Sequence, residues 1–181
     1  GAWALFLYNN EKLLVGTCGT RGYLHCLDLK SRTWAEPLRD ENETYIWNLV
    51  QGSDGMVYGG TYPGCVLLRY NPQKHILENL GKVSEHEGNM YSRMVYGDVP
   101  GKIFINCGMK KSHVAAWDIE TCTVKEFGKE GAIIKEANAD FVCTETRGEL
   151  DFYHPYTLEP LCKDIYLSKL EKLLESRNIS D

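Results

Sequence analysis

Long apolar runs are missing from this sequence of 181 residues. No stretch approaches the roughly eighteen consecutive apolar residues of a membrane-spanning helix, so no membrane association is expected. A basic stripe is missing as well: 20 Lys and Arg stand against 25 Asp and Glu, for a formal charge of -5. Without such a stripe there is no electrostatic footprint for phosphate, which argues against nucleic acid as a partner. No C-x-x-C pair occurs among the seven cysteines, Cys18, Cys26, Cys65, Cys107, Cys122, Cys143 and Cys162. An odd count without that spacing argues against a zinc site and against a complete disulfide framework. It predicts reduced, mostly buried thiols in a cytoplasmic protein, with no metal and no cofactor. Catalytic signatures are equally scarce. His86-Glu87 has no second histidine four residues on, and no G-x-S-x-G, P-loop or EF-hand pattern is present. There is no basic leader and no initiator Met, so the chain reads as a fragment that starts directly in a strand. Two N-x-S/T sequons, at Asn42 and Asn178, matter only in a secreted protein.

What is present is repetition. In "DGMVYGGTYPGCVLLRYNP" (Asp54 to Pro72) a strand-like run, a glycine-rich break, a second strand-like run and a turn follow one another. "KLLVGT" then "YLHCLDL", "KIFINC" then "HVAAWDI", and "DFVCT" then "ELDFYHP" repeat that grammar. The turn residues Asp28, Asn71, Asp118 and His154 lie 43, 47 and 36 positions apart. Each unit opens with an earlier run ("WALFLYN", "YIWNLVQ", "YSRMVYG", "AIIKEAN") and closes with a later one ("RTWAEP", "HILENLG", "CTVKEFG", "TLEPLC"). Four short strands per unit of about 45 residues is the pattern of propeller blades, twisted sheets that bury their faces by stacking radially.

The pattern resembles the broad β-propeller group that includes SMP-30-like, virginiamycin B lyase-like and Kelch-like proteins. The residues that carry this are "DGMVYGG" and "LLRYNP", with weaker echoes in "GKIFIN" and "AAWDIET". No Kelch double glycine repeats, and Trp117-Asp118 stands alone as a WD dipeptide, so no family's catalytic residues carry over.

The expected fold class is therefore all-β: four four-stranded blades (about 1–40, 41–88, 89–130 and 131–165) and a C-terminal helix and tail (166–181). "LSKLEKLLESRN" predicts the helix from about Ser168 to Arg177, with Leu167, Leu170, Leu173 and Leu174 on one stripe. Ser168 and Glu171 have capping-box spacing. Four blades are few for a closed ring, and Tyr45, Trp47, Tyr91 and Met94 are bulky for a narrow centre. An open arc, completed by self-association, a protein partner or further sequence, is expected.

In propellers the loops between second and third strands gather with the interblade segments at one mouth, where ligands are bound. Arg21, Trp47, Tyr62, Lys110 and Arg147 are the candidate ligand-binding residues, suited to an anionic or sugar-like ligand. His86, Tyr91 and Arg93 form the one grouping close enough in sequence to act as catalytic residues. The expected function is a non-catalytic module that binds a protein partner or a small, sugar-like ligand at the mouth. The alternative is a carbohydrate or small-molecule lyase or hydrolase with its site in the same place.

Overall fold

A computed structural model describes residues 1–179. β1 (Ala2–Tyr8), β2 (Lys12–Thr17), β3 (Leu24–Asp28) and β4 (Thr33–Trp34) form a first antiparallel sheet in that order. β5 (Tyr45–Gln51), β6 (Val57–Tyr62), β7 (Val66–Asn71) and β8 (Ile76–Lys82) form a second. β9 (Asn89–Val95), β10 (Lys102–Met109), β11 (His113–Asp118) and β12 (Thr123–Phe127) form a third. β13 (Ile133–Ala137), β14 (Val142–Thr146) and β15 (Glu149–Tyr153) form a fourth, followed by α1 (Lys163–Ile179). The second sequon extends to Ser180, which with Asp181 lies outside the described residues.

The recurring turn residues share one function. Asp28 accepts the backbone N–H of Ser31 at 2.7 Å, Asn71 that of Lys74 at 3.0 Å and Asp118 that of Thr121 at 2.8 Å. His154 does the same through Nδ1 for Thr157 at 3.2 Å. A short acceptor side chain closes each third-to-fourth-strand turn by bonding three residues ahead, the usual turn chemistry of Asp and Asn.

Burial follows from stacking. Each strand of a sheet sends alternate side chains to opposite faces. In β6, Val57 packs towards the first sheet with Leu14, Leu24 and Ile46, while Tyr58 packs towards the third with Met94, Ile103 and Trp117. Both faces of the second sheet are covered, so Val57 to Thr61 is buried without a break. Gly60 permits the closest approach. A Cβ there would overlap the Ser92 carbonyl oxygen of β9. The hydroxyl of Ser92 takes the Thr61 N–H at 2.9 Å and donates to the Val66 carbonyl at 2.6 Å. Backbone polar groups at this junction are thus satisfied across sheets.

Two expectations need correction. The fourth sheet has three strands: "TLEPLC" forms no strand, and a single bridge joins Tyr153 to Pro160. Pro160 has no N–H to extend a ladder, and Leu158 sits at a φ of 62°. The helix starts at Lys163 rather than Ser168, so Ser168 lies inside it and caps nothing. Tyr166, Leu167 and Leu170 pack against Phe141, Cys143, Leu150 and Phe152, and this contact draws the extra turn into helical form. Leu173 is half-buried but Leu174 is 47% exposed, so the inward stripe begins earlier than expected, at Tyr166.

The four sheets make an arc. The outer face of the last one is covered by α1, with Phe141 and Phe152 buried. The corresponding face of the first is not: Leu5 is 68% and Leu7 50% exposed.

Candidate functional site

The hairpins that join second to third strands lie at the same end as the segments that join the sheets. Hydrogen bonds tie them together: Gly22 N–H to the Glu43 carbonyl at 3.1 Å and Thr44 N–H to the Tyr62 carbonyl at 2.8 Å. Asn89 accepts the Lys111 N–H at 3.0 Å and Gly131 donates to the Ser112 carbonyl at 2.7 Å. Where these connections meet the first strands of the first three sheets, aromatic side chains converge.

That convergence comes from a shared irregularity. β1 is bulged between Ala2 and Ala4, and β5 between Ile46 and Asn48. The extra residue is Trp3 in one strand and Trp47 in the other. β9 and β13 are bulged as well, at Met90 and Lys135, but each two residues out of step with the first pair. A bulge re-aims a side chain that regular pleating would bury in a sheet face. The Trp3 and Trp47 rings stand edge-on at 5.5 Å, and Tyr45 stacks on Trp47 at 5.1 Å. Tyr62 meets Tyr45 at 5.3 Å, and Tyr91 meets Trp47 at 6.3 Å. The Arg93 guanidinium lies over the Trp47 ring, 5.7 Å from its centre. Such a contact is worth about 0.5–1 kcal/mol at an exposed position.

The two strands are clamped in this register by Asn48. Its amide nitrogen donates to the Met94 carbonyl, and its oxygen accepts the Met94 N–H at 2.8 Å. Arg93 and Tyr91 are two residues apart on β9 and therefore share a side of the strand. The Trp47 indole nitrogen is buried with no acceptor among the described residues, as is that of the core residue Trp117. Glu43 is 4% exposed, and its carboxylate accepts the Gly64 N–H at 3.1 Å, which turns it into the β6–β7 hairpin.

Of the residues singled out from sequence, Trp47, Tyr62, Tyr91 and Arg93 come together here. The others sit elsewhere on the same end. His86 accepts the Gly88 N–H through Nδ1 at 3.0 Å, and its ring turns back on its own segment. Lys110 is exposed beside Gly88. Arg21 is hydrogen-bonded to the Tyr23 hydroxyl and lowers its pKa by favouring the phenolate; Arg39 lies over the same ring at 5.8 Å. Arg147 occupies the β14–β15 turn at a φ of 53°. The paired "TRG" tripeptides thus share a hairpin position but not a backbone conformation. Trp3 and Tyr45 complete the cluster. A signal for Trp3 exists in the sequence: W-x-L at Trp3 to Leu5 recurs at Trp47 to Leu49.

No family model and no curated protein matches the chain. Solved structures do. The extracellular domain of the one-component system BT4673 from B. thetaiotaomicron superposes with a TM-score of 0.65 at 14% identity, covering 88% of this chain and 22% of that one. Virginiamycin B lyase from Staphylococcus aureus gives 0.59 at 13% identity, over 87% of this chain and 56% of the lyase. A streptogramin B lyase gives 0.58 at 11% identity, over 87% and 55%. The fold is that of a β-propeller. The sheets are its blades, and the aromatic cluster lies at the inner edge of the first three. The chain spans about a fifth of the BT4673 domain and just over half of each lyase. Among the described residues no group of His, Cys, Asp and Glu is arranged to hold a metal ion, and no helix is long and apolar enough to cross a membrane.

Proposed function

We propose that the chain is a non-catalytic propeller module that binds a sugar-like ligand at the mouth of its inner edge. The observation that carries this is the cluster of Trp3, Tyr45, Trp47, Tyr62 and Tyr91 with the Arg93 guanidinium over Trp47. Trp3 and Trp47, re-aimed by bulges, and the tyrosines beside them offer flat apolar surface with polar edges. Pyranose rings match such surface: their C–H faces pack on aromatic rings while their hydroxyls bond at the rim.

A second reading is a lyase acting on such a ligand. It is favoured by the Tyr91 hydroxyl and the Arg93 guanidinium on one side of β9, a proton-transfer group beside a charge-stabilising one. Two of the similar structures are lyases by name.

Tryptophan fluorescence titrated with short oligosaccharides tests the binding reading. Saturable quenching is expected, with Trp47→Ala weakening affinity by at least tenfold while far-ultraviolet circular dichroism stays unchanged. Binding that survives both Trp47→Ala and Tyr45→Ala would place the ligand elsewhere. Appearance of an unsaturated product on prolonged incubation, lost in Tyr91→Phe, would move the assignment to the lyase.

A further inference from the structure

We infer that the ligand of this site is an acidic sugar, a pyranose carrying a carboxylate, and that Arg93 reads that carboxylate. The inference rests on the binding reading above and adds the chemical class. Its basis is the state of Arg93. The residue is exposed, and its described contact is the Trp47 ring. No carboxylate or carbonyl is bonded to it among the described residues, whereas Arg39, Arg69 and Arg177 each face a glutamate. A guanidinium offers five donors in a rigid fork, and the edge of that fork stays open when the flat face lies on an aromatic ring. A carboxylate is the planar group that fills the fork with two parallel bonds.

Position narrows the class further. The faces of Trp47 are met by the Tyr45 ring and the Arg93 guanidinium, so a pyranose packed on the exposed Trp3 ring, 5.5 Å from Trp47, would turn its substituents towards the free edge of the Arg93 fork. Three carboxylates at this end of the sheets are engaged elsewhere. Glu43 is buried and bonded to the Gly64 N–H, Glu41 is paired with Arg39, and Glu145 is held by Lys135 at 3.1 Å. The net charge of -5 disfavours anions at long range, but that field is screened within about 8–10 Å at physiological salt. Contact chemistry at Arg93 therefore decides.

The test compares methyl glucuronide with methyl glucoside, which share a ring and differ at the C6 group, by tryptophan quenching of the full chain. Glucose 6-sulfate is the third probe. The glucuronide is expected to bind at least tenfold more tightly than the glucoside. Arg93→Gln should bring that ratio below about two, and Arg93→Lys should restore part of it. Arg93 is exposed, so these variants should fold; thermal melting checks this. Equal affinity for glucuronide and glucoside overturns the acidic-sugar inference and leaves the sugar site standing. Glucose 6-sulfate binding as tightly as the glucuronide overturns the assignment to a carboxylate. Quenching by none of the three removes both the inference and the reading beneath it. A glucuronide preference that persists in Arg93→Gln overturns the role of Arg93.

Discussion

Two residues show how single side chains decide local structure. Gly60 lies where the backbone of β9 crosses β6, and an added methyl would meet the Ser92 carbonyl oxygen. Neither backbone can retreat, because Ser92 bonds both Thr61 and Val66. Gly60→Ala should therefore destabilise the fold by about 1–3 kcal/mol, the usual range for overpacking, read as a lower denaturant midpoint. Asp118 closes its turn under a stronger field than its counterparts. The Lys102 ammonium, 2.8 Å away, and then the Thr121 N–H hold its pKa down at about 2, against an ordinary 3.8. A depressed folded-state pKa means that stability is present above the unfolded value and is lost as pH falls through the folded one. Wild type should exceed Asp118→Asn in stability at neutral pH, and the gap should close as pH falls from about 4 to about 2. Melting temperatures across that range check it; a gap independent of pH would show that the ion pair contributes nothing.

Among the elements, α1 shows what a blade does when its next neighbour is not another sheet. The fourth blade has lost its outer strand, and its far face would expose Phe141, Cys143 and Phe152. Helix α1 covers them with Tyr166, Leu167 and Leu170, and Arg177 adds a paired contact to Glu136 at 2.9 Å and 3.2 Å. Leu170 is 8% exposed and central to the contact. Leu170→Asp places a charge against two phenyl rings and should cost about 3–4 kcal/mol. Leu174→Asp, at an exposed position, should change little. A chemical melt of the two variants separates a covering helix from a merely adjacent one. If Leu170→Asp melts like wild type, α1 is dispensable to the blade.

At the scale of the whole molecule, the uncovered face of the first blade dominates. Leu5, Leu7 and Trp34 are 68%, 50% and 57% exposed. A four-stranded face of this length measures about 300–400 Å² from strand spacing and rise. That equals the largest apolar patch of a typical monomer and is about half of what a stable interface needs per partner. Self-association through it should be weak and concentration-dependent. Light scattering at micromolar concentration is expected to show a dimer or larger species, and Leu5→Lys with Leu7→Lys should return it to monomer. A wild-type chain that stays monomeric and binds no hydrophobic dye would contradict the need for a cover.

The repeat could be read from sequence because its causes are local. Alternation along a strand, glycine at a break and an acceptor side chain at a turn act within a few residues, so Asp28, Asn71, Asp118 and His154 mark the blades without tertiary information. The C-terminal segment was legible as a helix from the spacing of its leucines, again a local cause. The sequence by itself thus determined the blade grammar and the all-β class. Tertiary structure decided the rest. Trp3 and Trp47 meet because bulges turn both out of their sheets and because the first two blades pack side by side, although 44 positions separate them. Arg93 reaches the Trp47 ring because Asn48 fixes β5 against the Met94 backbone. The extra turn of α1 forms on a surface made by the fourth blade. Which face of the arc stays bare follows from how whole sheets stack. Contacts of this kind are set by the packing of distant segments, and no periodicity within one segment records them.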